Sequence, residues 1–355
     1  MRESHQPGVS LILDREIMSH QSTLVLLIGS SGYVGGRLLR ALEAAGWPVR
    51  CLARRPEFLK PRVAKTTQIV AGDVHDPHSL QAALEGVHTV YYLMQAAASS
   101  EFSEQQERWA ASGFAEAARA AGVQRIIYLG GLASQRQPLD PLARIQDAGS
   151  ILRDSGVPTI GFHTSIIIGS GSLAFEMVRA LVDRLPVMVT PRWVRTQTHS
   201  IAIEDVIAYL LAALEAPEMA VGAFEIGGQE STSFRDIMKE YGRQKGLKRM
   251  IIPVPVLAPW LSSLWLGLVT PIYPRVSRKL IESLRSEPQQ SETPASEVFR
   301  IKPRGFREAI TRALKYEDQE LAQTRWSDAL SSKAFVPSWG GTRFGSRLID
   351  SRMAH

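Results

Sequence analysis

The sequence is poor in cysteine and in clusters of like charge, and both absences exclude classes of function. Cys51 is the one cysteine among 355 residues, which excludes an internal disulfide framework and predicts a reducing, cytoplasmic compartment. The formal net charge of +6 is spread along the chain without a basic tract, so we expect no nucleic-acid partner. Cys and His residues do not occur at metal-ligand spacing, so no metal site is expected. Cys51 itself lies in a predicted strand and is interpreted as a buried small residue rather than a nucleophile.

The N-terminal segment lacks the pattern of a signal peptide. Its apolar run, Val9 to Leu13, is too short and is followed by acidic residues. We interpret residues 1–21 as a disordered extension, with Met18 as an alternative start, and exclude them from the fold prediction.

Residues 250–274 are the one stretch that invites a membrane interpretation, because they carry no charge over 25 residues. Prolines leave only Trp260 to Thr270 uninterrupted, which is too short to cross a bilayer. A helix of a globular lobe and an interfacial helix both remain open, because Arg275, Arg278 and Lys279 stand where they would meet lipid headgroups. We therefore predict peripheral membrane contact through 250–274 as one interpretation and lobe packing as the other.

A glycine cluster between a predicted strand and a predicted helix organises the rest of the chain. The uncharged run Leu24 to Ile28 ends at glycines spaced G-x-x-G-x-x-G, and an amphipathic helix from Leu38 to Ala45 follows. In a strand–turn–helix unit such glycines permit a sharp turn, close approach of a pyrophosphate and close packing of the helix. A glycine-rich turn without a ligand is the alternative. The dinucleotide interpretation predicts binding by Gly29, Ser30, Ser31, Gly32, Tyr33, Val34 and Gly35.

The second predicted strand, Val49 to Ala53, ends at two arginines, Arg54 and Arg55, with no acidic residue in the turn. An acidic residue there would bind the 2′-hydroxyl of NAD, whereas arginine accommodates the 2′-phosphate of NADP. The planar guanidinium groups suit phosphate oxygens. We therefore predict NADP(H) in preference to NAD(H), with two solvated surface arginines as the alternative.

Three further uncharged or nearly uncharged strands follow, at 68–71, 89–93 and 125–129, each separated from the next by a predicted helix. This alternation predicts an α/β fold of Rossmann type with a doubly wound parallel sheet. Asp73 follows the third strand, where it either accepts a hydrogen bond from adenine or caps a turn, and its position favours adenine. The remaining predicted cofactor contacts follow strands in the same way: Val74, Leu93, Met94, Gln95, Leu129 and Gly130.

The motifs GSSGYVGGRL, ARRP, AGD, VYYLMQ and IIYLGGLAS occur in an order that resembles the atypical, extended short-chain dehydrogenase/reductase superfamily. Within it the chain is most similar to NmrA-like and complex-I-accessory-subunit-like NAD(P)-binding proteins. The resemblance extends over roughly 22–315, through the stretches 166–172, 185–193, 201–205 and 224–228. It implies a Rossmann domain over 22–157, sheet additions and a smaller C-terminal α/β substrate lobe over 158–320, and a tail over 321–355 that resembles the remnant of an extra domain.

Ordinary members of that superfamily carry a Tyr-x-x-x-Lys helix after the fifth strand, and this chain does not. The helix predicted to begin at Pro141 contains neither tyrosine nor lysine, and Gly130 and Gly131 replace the expected serine. Tyr241 and Lys245 have the correct spacing but lie in a helix that begins at Ser233 and belongs to the predicted lobe. We interpret that pair as non-catalytic.

Hydride transfer does not itself require a tyrosine, because the cofactor carries the chemistry. The candidates for a polar catalytic role near the nicotinamide are Tyr128, Arg144, Gln146, Asp147 and His199. His199 has a structural interpretation as well, since an isolated histidine beside apolar residues is commonly structural. Residues 187–198 combine Val, Met, Trp and Arg, which is typical of an apolar pocket with a cationic rim and equally of lobe packing.

Two functions remain open at this stage. The first is an NADP(H)-dependent oxidoreductase that reduces a small apolar or quinone-like acceptor without the Tyr-x-x-x-Lys pair, with quinone chemistry at a membrane surface as its variant. The second is a non-catalytic NADP(H)-binding redox sensor or assembly subunit. Both need the glycine turn, and oligomerisation is open in both.

Overall fold

The computed structural model describes residues 23–94, 104–131, 148–217, 219–253 and 294–317, together with two short strands at 342–344 and 347–349. The predicted extension 1–21 and most of the predicted tail 321–355 lie outside the described residues.

A seven-stranded parallel sheet forms the centre of the molecule, in the order β11-β6-β5-β4-β1-β2-β3. Its strands are Val25–Ile28 (β1), Val49–Ala53 (β2), Gln68–Ala71 (β3), Thr89–Tyr92 (β4), Arg125–Gly131 (β5), Thr159–Thr164 (β6) and Gly222–Glu225 (β11). β1, β4 and β6 are buried along their whole length. Strands buried on both faces are typical of parallel sheets covered by helices on each side. The predicted Rossmann-type α/β fold is confirmed.

Helices cover both faces of this sheet. Leu38 and Val206 belong to the apolar cluster on one face, and Leu80, Phe114 and Leu152 belong to the cluster on the other. The first face is covered by Tyr33–Ala44 (α1) and Ile203–Ala212 (α7), and the second by Pro77–Leu84 (α3), Glu104–Ala120 (α4) and Ala148–Arg153 (α5). Between β2 and β3 lie the short helix Pro56–Leu59 (α2) and a 3₁₀ turn at Lys60–Arg62.

The chain from residue 158 onward adds two strands to the sheet and builds a separate apolar core. β6 pairs in parallel with β5, and β11 pairs in parallel with β6 at the edge of the main sheet. Three helices enclose the second core: Leu173–Arg184 (α6), Phe234–Gln244 (α8) and Phe306–Glu317 (α10). A short helix, Ala295–Val298 (α9), packs against the first core through Ala295.

Small two-stranded sheets surround this C-terminal lobe. They pair Ile167–Ile168 (β7) with Ile201–Ala202 (β10), Gln197–Thr198 (β9) with Thr232–Ser233 (β12), and Val187–Thr190 (β8) with Met250–Pro253 (β13). An antiparallel pair, Thr342–Phe344 (β14) and Arg347–Ile349 (β15), lies near the end of the chain.

The lobe is joined to the sheet layer by an ion pair between a buried carboxylate and a partly exposed arginine. Asp205 on α7 is 2% exposed, accepts a hydrogen bond from the Arg304 backbone N–H at 2.7 Å and pairs with the Arg304 guanidinium. The pair favours one orientation of the two parts, because separating the charges would leave a buried carboxylate uncompensated.

The uncharged stretch 250–274 is described only over its first four residues, which form β13. Val187, Val189, Met250 and Ile252 are exposed on the β8–β13 sheet, while Met188 packs in the lobe core. Within the described ranges no helix has both the length and the apolar character needed to cross a bilayer. Residues 254–274 lie outside those ranges, so membrane contact through this stretch stays a prediction.

Candidate functional site

The turn between β1 and α1 has no room for a side chain at Gly29 or Gly35. Gly29 has a φ of +91°, in the left-handed region that favours glycine. A Cβ at Gly29 would lie 2.7 Å from the backbone oxygen of Leu93, which follows β4. This glycine therefore permits both the sharp turn and the close contact between the ends of β1 and β4.

The other two glycines bring the helix against the turn. The Gly32 N–H donates to the Gly29 oxygen at 2.9 Å, which closes the turn. A Cβ at Gly35 would overlap the Gly29 carbonyl, lying 2.8 Å from its carbon. The first turn of α1 therefore packs directly on backbone, as the spacing predicted.

The N-terminus of α1 carries features that suit an anion. Gly32 provides no side-chain cap, and the first turn contains no acidic residue. By contrast, Asp76, Ser172 and Ser233 cap the starts of α3, α6 and α8 with their side chains. Because the first N–H groups of a helix have no partner within it and lie at the positive end of the dipole, the uncapped start of α1 is suited to a phosphate group.

The side chains of Ser30 in this turn and Cys51 on β2 form a buried contact. Ser30 is 3% exposed and hydrogen-bonds the Cys51 thiol, and burial raises the pKa of that thiol to about 12. Cys51 is fully buried, so its interpretation as a buried small residue is confirmed.

Tyr33 turns its side chain towards the second half of the chain. Its hydroxyl packs against Gly169, the Arg37 guanidinium lies 4.1 Å from its ring centre, and burial raises the pKa of the phenol. Arg37 also donates to the Ser170 oxygen at 2.8 Å. The side chain of Tyr33 therefore anchors α1, and its predicted role in cofactor binding rests on its backbone at the start of the helix.

Arg54 and Arg55 follow β2 at the same edge of the sheet, but their environments differ. Arg54 is exposed, whereas the Arg55 guanidinium lies 5.6 Å from the ring centre of Phe58. The Gly72 N–H donates to the Ala53 oxygen at 3.1 Å, so the ends of β2 and β3 meet here.

Asp73 caps a turn after β3. Its Oδ1 accepts from the His75 N–H at 3.0 Å, and its backbone oxygen accepts from the Ser79 hydroxyl at 2.8 Å. The turn-capping alternative is thus observed, and an adenine contact stays a prediction. Val74 is buried in the core beneath.

The predicted contacts near the nicotinamide lie at the ends of β4 and β5. Leu93 donates its N–H to the Ile28 oxygen at 3.1 Å, and Met94 is exposed. Leu129 is buried, and Gly130 follows it at the end of β5. Gln95 and the catalytic candidates Arg144, Gln146 and Asp147 lie outside the described residues.

The two remaining polar candidates, Tyr128 and His199, differ in burial. Tyr128 is buried in β5, with its ring edge-on to His163 at 5.8 Å. His199 is exposed, packs against Gly227 just past β11, and accepts a hydrogen bond on its backbone oxygen from Ser165 at 3.0 Å. Its backbone therefore has a structural contact, and a proton-donating role for its ring stays a prediction.

Sequence reasoning missed His163 and Arg153. His163 is 1% exposed in β6, and the Arg153 Nη1 is buried near Gly149 and Gly161 with no hydrogen-bond partner among the described residues. The signal was a histidine within the otherwise uncharged strand 159–164, because buried strands rarely carry such a group without a reason.

The Tyr241–Lys245 pair lies in the lobe, as predicted. Tyr241 is fully buried, its hydroxyl donates to Asp183 at 3.1 Å, and α8 begins with the predicted capping box at Ser233 and Asp236. Across the ranges that the structure describes, no three His, Cys, Asp or Glu residues come together as a metal site.

Comparison with known proteins agrees with this geometry. The model of a family described as NAD(P)H-binding matches residues 29–156. A (4-alkanoyl-5-oxo-2,5-dihydrofuran-3-yl)methyl phosphate reductase of Streptomyces griseus subsp. griseus is 30% identical over 232 residues, which are 63% of this chain and 74% of that protein. The photosystem II assembly factor Ycf39 of Cyanophora paradoxa is 26% identical over 65% of this chain and 72% of its own.

Among solved structures, the triphenylmethane reductase of Citrobacter sp., complexed with NADP(H), superposes with a TM-score of 0.63 at 16% identity. The match covers 81% of this chain and 99% of that one, and at this identity it shows the fold alone. Together with the glycine-rich turn and the 30% identical reductase, the family match leads to one conclusion: the chain belongs to the NAD(P)H-binding, NmrA- and Ycf39-like family of atypical short-chain dehydrogenases/reductases.

Proposed function

We propose that this protein is an NADP(H)-dependent oxidoreductase that transfers hydride to a small apolar or quinone-like acceptor without a Tyr-x-x-x-Lys pair. The observation that carries the proposal is the turn at Gly29, Gly32 and Gly35, where Gly29 and Gly35 have no room for a side chain and the α1 start has no side-chain cap. A pyrophosphate fits such a concavity, because it needs N–H donors and close backbone approach.

The preference for NADP(H) rests on the exposed Arg54 at the end of β2. A 2′-phosphate adds two negative charges that an arginine fork binds well, and no acidic side chain lies in that turn to repel it. Arg55 contributes less in this account, because its guanidinium already stacks near Phe58.

The reaction uses the reducing power of the bound dinucleotide, which supplies a hydride. The residues of this chain hold the phosphates at the glycine turn, and Met94, which is exposed just past β4, offers an apolar side chain to an acceptor. Acceptors whose product anion is already stable do not need a strong general acid, which fits a chain that lacks the usual tyrosine and lysine. Such acceptors include quinones and conjugated dyes.

The relatives support reductase chemistry in general terms. The relative from Streptomyces griseus subsp. griseus is a reductase by name. The triphenylmethane reductase of Citrobacter sp. has the same fold, and its name indicates that it acts on a conjugated dye. Their substrates differ, so the acceptor of this protein is proposed from its own chemistry alone.

A second candidate is a non-catalytic NADP(H)-binding assembly factor or redox sensor. It is favoured by the similarity to Ycf39, a photosystem II assembly factor by name, and by the absence of tyrosine and lysine from the stretch 141–156. Both candidates need the same cofactor site, so only turnover separates them.

The test is reduction of an acceptor panel by NADPH that carries deuterium on the reactive face of C4. Simple quinones, naphthoquinones and a triarylmethane dye are offered under anaerobic conditions, and NADPH loss and deuterium in the product are measured. We expect loss of NADPH with at least one acceptor, with deuterium transfer where the product retains it at carbon. Tight NADPH binding with no turnover on any acceptor would favour the assembly or sensor candidate instead.

A further inference from the structure

The two glycines that end β5 have different reasons to be glycine. A Cβ at Gly131 would meet nothing within 4 Å, whereas a Cβ at Gly130 would lie 2.8 Å from both Cε1 and Cζ of Tyr128. The atom nearest to that position is the Tyr128 hydroxyl itself. The phenol therefore fills the space that a side chain of residue 130 would take.

Two more glycines shape the slot that holds this ring. A Cβ at Gly149 on α5 would lie 2.9 Å from Tyr128 Cε1, and one at Gly161 on β6 would lie 3.6 Å from Cδ1. The His163 ring meets the Tyr128 ring edge-on, at an interplanar angle of 67°. Closely packed surroundings of this kind leave a side chain few alternative rotamers.

The register of the sheet places the hydroxyl at the cofactor edge. Tyr128 pairs with Tyr92 on β4, and Gly130, two residues nearer the carboxyl end, pairs with His163 on β6. The Tyr128 ring runs along the strand, so its hydroxyl reaches the level of Gly130. Ligands of open parallel sheets bind outside the carboxyl ends of the strands, and Gly130 is one residue short of the end of β5.

We infer that Tyr128 supplies the hydroxyl that Gly130 and Gly131 cannot, as a hydrogen-bond donor to the oxygen of the bound acceptor. The inference rests on the proposed function. In the step, a hydride leaves C4 of NADPH and bonds to the acceptor, NADP⁺ forms, and the electron pair displaced within the acceptor settles on its oxygen. The Tyr128 O–H stabilises that oxyanion by a hydrogen bond and keeps its own proton, and water then protonates the product.

The experiment compares two buried tyrosines of the same sheet. Tyr128→Phe keeps the ring and removes the hydroxyl, and Tyr92→Phe makes the same change at the paired residue on β4, which is 2% exposed. Loss of one oxyanion donor lowers kcat by about 100-fold or more in other enzymes. We expect a fall in kcat of about 10- to 100-fold for Tyr128→Phe with the best acceptor of the panel, an unchanged Kd for NADPH, and no change in kcat for Tyr92→Phe.

A rescue separates a chemical role from a structural one. Tyr128→Leu removes the atoms that crowd residue 130, so Tyr128→Leu with Gly130→Ser returns a hydroxyl to the vacated space. We expect the double variant to recover at least about 10-fold in kcat over Tyr128→Leu alone. Wild-type kcat in Tyr128→Phe, or no recovery by serine, would overturn the inference.

A second readout does not depend on turnover. The fluorescence of bound NADPH reports the surroundings of its nicotinamide, so Tyr128→Phe should change its intensity or wavelength and Tyr92→Phe should not. If the wild-type protein reduces no acceptor, the proposed function fails and the assigned role in the reaction fails with it, while the emission still tests whether the Tyr128 hydroxyl lies beside the nicotinamide. Identical emission from wild type and Tyr128→Phe would contradict a hydroxyl at the nicotinamide edge.

Discussion

The ends of β1 and β5 are both rich in glycine, and they use it for opposite purposes. At the end of β1, Gly29 and Gly35 make room for backbone, so that a turn and a helix can meet. At the end of β5, Gly130 makes room for a side chain, the phenol of Tyr128. Glycines that make room for backbone in a turn recur at a fixed spacing in the sequence. A glycine that makes room for a neighbouring side chain does not belong to such a pattern.

The largest effect is expected at Gly35, where the structure leaves no room for a methyl group. Gly35→Ala should destabilise the fold by about 3 kcal/mol, because its Cβ would overlap the Gly29 carbonyl. Gly113→Ala is the matched control, since it also lies in a helix but meets nothing within 4 Å and should stabilise by about 0.5–1 kcal/mol. Denaturant unfolding followed by circular dichroism measures both, and equal stabilities would remove the steric argument.

The next prediction separates binding from folding within the same turn. Gly32 has a φ of −79°, which other residues adopt, and its Cβ would meet only the Gly29 oxygen, at 3.2 Å. Gly32→Val should therefore fold but lose NADPH affinity by about 100-fold or more, because the side chain would stand in the path of the pyrophosphate. Isothermal titration measures the loss. Unchanged affinity would show that the dinucleotide binds elsewhere.

The basic turn after β2 offers a test of cofactor choice. Arg54→Gln should weaken NADPH by about 10-fold through loss of a charge-assisted hydrogen bond, and leave NADH nearly unchanged. Arg55→Gln should have a smaller effect, because that guanidinium lies over Phe58. The double variant should lose most of the difference between the two cofactors in parallel titrations. Equal weakening of both would contradict a 2′-phosphate site.

The last prediction tests the second kind of glycine. Gly130→Ala should cost about 1–3 kcal/mol by crowding Tyr128, while Gly131→Ala should change stability by less than about 0.5 kcal/mol. In a Tyr128→Leu background the cost of Gly130→Ala should largely vanish. A cost that persists without the tyrosine ring would mean that Gly130 is required by backbone after all.

This contrast also explains what the sequence could predict. The parallel sheet, the turn at Gly29 and the helix from Ser233 follow from local patterns, namely apolar runs that alternate with helices, glycine spacing and a capping box, and all three are confirmed. The slot around Tyr128 joins residues of β5, α5 and β6 that lie up to 35 positions apart between Tyr128 and His163. Such contacts depend on tertiary packing, so no local sequence pattern predicts them.

Position alone also failed to decide between two roles of one residue. Asp73 stands where adenine-binding residues stand, yet its Oδ1 accepts from the His75 N–H. Asp and Asn side chains readily bond to backbone two residues on, so a position after a strand does not distinguish a ligand contact from a turn cap. The lobe shows the same ambiguity, since Met188 packs in its core while Val187 beside it is exposed.

The most direct measurement is a fluorescence titration of the purified wild-type protein with NADPH and, in parallel, NADH. The account predicts saturable binding of both, with NADPH tighter by about 10-fold or more. Absence of binding would contradict the central claim that the β1–α1 turn is a dinucleotide site, and tighter binding of NADH would contradict the role assigned to Arg54.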